Sequence, residues 1–530
     1  MRVHSSYDSK VGRMNSIIKR PEIKHVDFCV DENIWGHRLY DEQLPHLTIL
    51  EFLGLLGANL DRPLLPHDDL GGTIRFRPQR QIRLRSLLFN NPYIESIADS
   101  TLSDEEKWDS WFKKFAEGAM GKGDDEVTYL RRVFSNFNDF AKAIELLRSS
   151  SFESRSNKRW SSKFAFPFGP DALFEDLNFD AHGNASNDRR FFARTGELLY
   201  LMLTRTKRGE ELGQVLADQL FDSTSEMNRL VKALQGETQL AEGSRLAGYL
   251  PESQNPRFDQ ICDDWLAVLN KDIPVYDALE HLIPITGLNM LLYFLERSKW
   301  YAGDGKPVEI VCEIVSKERT KVRGLSGDSY QYNQGLPAKA VRAYVESISL
   351  DPRWDKSSEM DFPDSERLKL MREWFQWPPS EGEGDGDFSG KNPDDLISEL
   401  VTLSLTRHER HSGKIHSTWA RAIGLSSRRL SRRTRYAPND RLLKSLVVTI
   451  VKDRMQFDEF LAEAKRRYGL VFGDVEGDYL VAEKFVDQEE LSENRDNLEA
   501  RLIGLGLVRR LSDSCSFVEN PFAVRENTEC

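Results

Sequence analysis

Apolar residues recur at three- and four-residue spacing through most of this chain, and only two short stretches alternate, so helices must build nearly all of the fold. The clearest stripes are Leu47, Leu50, Phe52, Leu53, Leu56 and Leu60, then Trp108, Trp111, Phe112 and Phe115. Another runs Leu130, Val133, Phe134, Phe137, Phe140, Ile144 and Leu147. Ser103 followed by Asp104, Glu105 and Glu106 is a strong helix start. Similar patterns recur near 188–206, 210–235, 257–270, 275–298, 338–348 and 364–377. One alternating stretch lies between Pro307 and Lys317, where Val308, Ile310, Cys312 and Ile314 form the apolar side of an expected strand in a small sheet. The other is IRFRPQRQIRLRSLLF, which carries Arg75, Arg77, Arg80, Arg83 and Arg85 without an acid and reads as two short edge strands or an extended arm.

At 530 residues the chain exceeds what one core accommodates, so about three domains are expected. The predicted fold class is mainly α (α+β): a multi-domain helical protein with a small sheet and a C-terminal winged-helix-like domain. Residues 1–100 read as an N-terminal α+β region and 101–378 as a helical middle domain with the small sheet. Residues 379–395, rich in Gly, Pro, Ser and acids, read as an acidic flexible linker. Residues 396–530 hold a basic island, a helix capped by Asp440, further helices and a final hairpin, the order of a winged helix-turn-helix.

Charge is unevenly distributed. The chain carries a net −12, yet between Arg407 and Lys444 eleven Lys/Arg face only Glu409 and Asp440. That segment is +9 and the remainder −21. Arg428, Arg429, Arg432, Arg433 and Arg435 fall within eight residues, with Arg421 before them and Arg441 and Lys444 after. Guanidinium groups make two-point contacts to phosphate oxygens, so these residues, together with the five arginines of the N-terminal arm, are the candidate nucleic-acid-binding set. Docking onto an acidic partner protein and plain solvation are the competing readings. The helix that should precede the terminal hairpin carries Glu489, Glu490, Glu493, Asp496 and Glu499, a charge that a duplex repels.

Motifs for chemistry are weak. His408, His411 and His416 lack the HExxH order and have no nearby cysteine. Asp385 begins a calcium-loop-like run whose twelfth position is Leu396 and which contains Pro393, so it reads as linker. Glu309, Glu313 and Lys317 only distantly suggest a metal-dependent nuclease, the third functional alternative. Phosphate-loop, nucleophile-elbow and dinucleotide patterns are missing. No catalytic residue, metal or cofactor is expected. The aromatic loop with Trp160, Phe164, Phe166 and Phe168, flanked by Lys158, Arg159 and Lys163, reads as a core plug, with base stacking as the alternative. Five scattered cysteines without a CxxC pair, no secretory h-region and no apolar run of about 18 residues point to a cytoplasmic chain with no membrane span.

The segments WGHRLYDEQLPHLTILEFL, RSLLFNNP, KFAFPFGPDALFEDL, DRRFFARTGELLYLMLTR and AIGLSSRRLSRRTRYAPNDRLLKSLV resemble a family of large uncharacterised bacterial proteins of anti-phage defence and DNA-modification islands. The resemblance touches most of the chain and implies an accessory, complex-forming subunit with other defence proteins as partners. It assigns no catalytic residue.

Overall fold

A computed structural model describes residues 28–37, 39–61, 64, 73–76, 87–88, 91–118, 127–149, 177–179, 185–187, 194–236, 243–303, 306–316, 320–376, 392–512 and 515–523. The fold is mainly α, with several short two-stranded ladders and one three-stranded sheet.

The first half comprises α1 (Asp31–Trp35), α2 (Pro45–Ala58), α3 (Ile94–Ala98), α4 (Asp104–Gly118), α5 (Leu130–Val133), α6 (Phe137–Ser149), α7 (Thr195–Leu203), α8 (Gly209–Leu220), α9 (Glu226–Gln235) and α10 (Pro256–Leu269). Interspersed are β1 (Thr73–Phe76), β2 (Leu177–Phe179), β3 (Ala185–Asn187) and β4 (Gly243–Leu246). Local chemistry explains several starts. Ser103 Oγ accepts from Glu106 N while the Glu106 carboxylate accepts from Ser103 N at 2.9 Å, a reciprocal cap for α4. The Asn255 side chain caps α10 at 2.8 Å from Arg257 N. β1 pairs antiparallel with β4, Thr73 opposite Leu246, so its partner comes from far along the chain.

The second half is organised around α11 (Val275–Ala302), 28 residues long, and α12 (Lys321–Glu346), 26 residues, which pack on each other. Then follow α13 (Pro352–Ser357), α14 (Pro363–Phe375), α15 (Pro393–His411), α16 (Ile415–Ala422), α17 (Asp440–Ile450), α18 (Phe457–Tyr468), α19 (Asp478–Ala482) and α20 (Gln488–Gly504). The strands are β5 (Ile310–Val311), β6 (Ser426–Ser427), β7 (Arg435–Tyr436), β8 (Arg454–Gln456), β9 (Leu470–Val471), β10 (Val508–Ser512) and β11 (Cys515–Glu519). Asn439, not Asp440, caps α17: its side chain accepts from Leu442 N at 2.9 Å, and Asp440 is the first helical residue. Asn392 likewise caps α15, so the last residues of the expected linker begin a helix; 379–391 lie outside the described residues.

The 277–302 portion of helix α11 is long and apolar enough to cross a membrane by length and composition, against the expectation from apolar runs. Its most apolar window is 89% buried inside the fold, between α10, α12, α16 and α17, which is the position of a core helix. Trp35 donates to Phe294 O at 3.0 Å and Tyr293 OH returns to Trp35 O at 3.0 Å, pinning α1 across it.

The core clusters ignore the expected divisions. One cluster joins Trp35, Phe52 and Leu56 to Trp265, Phe294, Trp374, Leu400, Trp419 and Val448. Residues from the regions expected as 1–100, 101–378 and 396–530 therefore share one core. A second cluster joins Leu288, Leu292, Ile310 and Cys312 to Tyr436, Leu446, Phe460, Leu498 and Val518. A smaller aromatic cluster, with Trp108 against Phe137 at 5.1 Å and Trp111 against Phe140 at 4.8 Å, holds α3–α6 to α9. Each fully buried large side chain contributes roughly 1.5–3 kcal/mol, so these clusters carry the fold.

Of the alternating segment at 308–314 only Ile310 and Val311 form a strand, parallel to Leu470 and Val471, so the expected strand is reduced to two residues. Beyond it Glu313 N donates to Tyr436 O at 2.9 Å and Ile314 N to Asn494 Oδ1 at 2.8 Å. The middle of the chain is thus threaded into the C-terminal third. The three-stranded sheet runs β10-β11-β8, with Val518 opposite both Val508 and Met455. Strand β8 escaped the sequence reading because three residues, RMQ, exposed at both ends and half-buried only at Met455, are too few to show a period.

Candidate nucleic-acid interface

The basic island folds into a hairpin. Gly424 ends α16 at φ +80°, and a Cβ there would strike the Asn439 side chain, so glycine lets the two legs meet. Asn439 N donates to Gly424 O at 2.8 Å and Ala437 N to Leu425 O at 2.9 Å. Then Ser426 pairs with Tyr436 and Ser427 with Arg435, leaving Arg428–Thr434 as the tip. Ser431 N donates to Arg428 O at 3.0 Å, closing a four-residue turn with Leu430 at its third position.

Arg428, Arg429, Arg432 and Arg433 are exposed on this tip. Arg428 Nε donates to Thr434 Oγ1 at 2.7 Å, and Arg433 reaches α12, bonding Asp328 at 3.0 Å and Gln331. Arg428, Arg429 and Arg432 have no acidic partner among the described residues. Arg421, exposed on α16, belongs to the same patch: it and Arg428 both oppose the rise that burial imposes on the Tyr330 phenol.

Arg435 must be removed from the expected phosphate-contacting set. It is 1% exposed, and its Nε donates to Glu313 Oε2. Glu313 Oε1 accepts from Arg323 Nε at 2.7 Å, and Arg435 Nη2 donates to Arg429 O at 2.7 Å. Two guanidiniums flank one buried carboxylate, so the pair anchors the hairpin and braces its tip from below. Tyr436, fully buried beside it, has its hydroxyl 2.6 Å from His416 Nε2 and 3.0 Å from Asn333 Nδ2, while its carbonyl accepts from Ser326 Oγ at 2.6 Å. Helices α12 and α16 and the segment that carries Glu313 thus fix the base of the hairpin.

The remaining predicted cations are elsewhere or committed. Arg441 bonds Glu280 O at 3.5 Å, and with Lys444 it faces His281, whose pKa is lowered to about 4 by burial first and by these cations. Arg75 is exposed on β1 and ion-paired with Asp61. Arg77, Arg80, Arg83 and Arg85 lie outside the described residues, as do Lys317 and the aromatic loop at 158–168.

Comparison with known proteins returns no matching family model, no matching curated protein and no matching solved structure.

The alternatives weighed in sequence find different roles. Both Glu313 oxygens are taken by arginines, which leaves neither for a metal ion. The three histidines do not converge: His408 Nδ1 is 3.1 Å from Asp31, His416 meets Tyr436, and His411 lies against the Tyr40 ring. Among the described residues no group of three or more His, Cys, Asp or Glu is placed to hold a metal ion. Sequence reasoning missed Leu430, an apolar residue alone among arginines, and it singled out Glu313 for a metal site and not as the partner of Arg435, because that pairing carries no sequence signal.

Proposed function

We propose that this chain is a non-enzymatic DNA-binding or adaptor subunit of a bacterial anti-phage defence complex, working in the cytoplasm beside other subunits. It contacts the nucleic-acid backbone through Arg428, Arg429, Arg432 and Arg433, with Arg421 extending the patch. The observation that carries this reading is the braced hairpin: its base is held by Glu313, and three of its four exposed tip arginines, Arg428, Arg429 and Arg432, have no acidic partner among the described residues. A hairpin backbone that is already braced loses little freedom of its own when its guanidiniums bind phosphates. The defence context comes from the sequence resemblance. The test is fluorescence anisotropy on duplex and single strands across salt. About four phosphate contacts give a log–log slope near −3.6 on a duplex. No binding at low salt to either strand form sinks the proposal.

A second reading is favoured by the C-terminal unit. We read the succession α17, β8, α18, α20, β10 and β11, with β9 and α19 inserted before α20 and β8 paired to β11, as winged-helix-like. Its α20 exposes Glu489, Glu493 and Asp496, which suits protein contact better than a groove. In this reading the basic island docks an acidic subunit, and replacing the four tip arginines by Ala dissolves the protein complex while leaving no DNA affinity to lose.

A further inference from the structure

Leu430 is an anomaly that the phosphate contacts do not use. It sits at the crest of the tip, 60% exposed, between two pairs of exposed arginines. Single exposed leucines are ordinary on protein surfaces. This one also has φ +59°, in the left-handed region that a side chain with a Cβ avoids and that glycine or asparagine normally fills in such a turn. The turn is not loose: Arg435 holds Arg429 O, Ser427 Oγ accepts from Arg429 N at 3.0 Å, Ser431 Oγ accepts from Arg433 N at 3.2 Å, and Arg433 is tied to α12. Backbone strain kept at a braced, solvent-facing tip needs a use, because a glycine there would relieve it.

We propose that Leu430 is an intercalating wedge: the hairpin enters the minor groove of duplex DNA, the flanking arginines grip phosphates on both sides, and Leu430 slides between two base pairs and bends the duplex. This rests on the nucleic-acid reading of the same hairpin and narrows it to a duplex, a groove and a deformation. Narrow two-stranded ribbons enter grooves, and apolar side chains flanked by arginine are the means by which minor-groove proteins part a base step. The arginines supply affinity, and the leucine supplies the bend. Flexible pyrimidine–purine steps are therefore the preferred sites, since they unstack most easily.

The experiment uses the full chain and an end-labelled duplex of about 30 base pairs with a central TA step. Energy transfer between the ends reads the bend, 2-aminopurine at the step reads unstacking, and anisotropy reads affinity. Wild type is expected to bend the duplex and brighten the 2-aminopurine. Leu430→Gly, which suits the backbone, and Leu430→Ala are expected to abolish both signals. Their affinity falls less than about tenfold and keeps its salt slope, because the arginine contacts remain. Leu430→Met, still an apolar wedge, is expected to retain both signals. Circular dichroism verifies that each variant is folded. Wild type that binds the duplex without bending it, or Leu430→Ala that bends it equally, overturns the wedge and spares the arginine patch. Wild type that binds no nucleic acid overturns the parent reading instead. Leu430-dependent binding to phosphatidylserine vesicles without any duplex bending also overturns the wedge, in favour of a membrane surface.

Discussion

Arg435 Nε and Glu313 Oε2 form an ion pair buried to 1% exposure on each side, between residues 122 positions apart. It joins the leg of the basic hairpin to the segment that follows β5. Arg323 shares the carboxylate, so neither charge is left alone in the interior.

Removing one partner of that pair leaves an uncompensated buried charge, which costs about 3–5 kcal/mol. Glu313→Gln is expected to lose that much in urea denaturation, and Arg435→Lys should not rescue the site because an ammonium cannot hold Glu313 and Arg429 O together in one plane. A loss below about 1 kcal/mol for Glu313→Gln contradicts the anchoring role.

The tip arginines should behave in the opposite way. Arg429→Ala and Arg432→Ala are expected to leave stability within about 0.5 kcal/mol of wild type, since both are exposed and lack an acidic partner. On a duplex each should lower the magnitude of the log–log salt slope by about 0.9. Unchanged slopes in both variants place the contact elsewhere.

Asp264 gives the interior a pH dependence. Its carboxylate accepts from Asn289 and Gln260, each at 2.7 Å, and from Tyr468 OH at 2.9 Å, tying α10 and α11 to α18. Burial, partly opposed by these donors, raises its pKa from 3.8 to about 6. The folded state therefore holds the proton more tightly than the unfolded chain. Its stabilising share is complete below pH 3.8 and is lost as pH rises through about 6, by roughly 1.4 kcal/mol per pH unit across that window. Asp264→Asn, measured beside wild type at pH 4 and pH 7, is expected to lack that share of the decline. It should also be less stable at both, because its amide presents N–H groups to a site built of donors. Parallel pH profiles for the two proteins refute the assignment.

His416 works with the reverse sign. Full burial lowers its pKa from 6.5 to about 3, so the folded state refuses a proton that the unfolded chain accepts. Its stabilising share is present above pH 6.5 and is lost as pH falls towards 3, about 2 kcal/mol by pH 5. His416→Gln keeps a hydrogen-bonding group for Tyr436 OH and does not titrate, so the difference between variant and wild type should shrink from pH 7 to pH 5. A constant difference across that range counts against a neutral buried imidazole.

Much of the helical frame was legible in advance. The patterns at 257–270 and 364–377 match α10 and α14 within a residue or two, because caps and apolar stripes act over a few neighbouring positions. The basic island was equally visible, since charge is written residue by residue. Arg433 and Arg435 nevertheless look alike in RRLSRRTR. One is exposed against Asp328, while the other is sealed against Glu313. The alternation at 308–314 likewise announces an extended strand without naming Leu470, Tyr436 or Asn494 as its neighbours.

The sequence by itself determined a mainly α chain, the spans of helices such as α10 and α14, and a segment of +9 in an otherwise acidic protein. Those properties depend on local backbone preference and on composition, which need no partner. Tertiary structure alone decided which arginine faces water, which carboxylate is spent on an internal pair, and that Leu430 stands strained at the crest of the tip. Burial and pairing join residues more than a hundred positions apart, and desolvation reverses the meaning of a charge once it is enclosed.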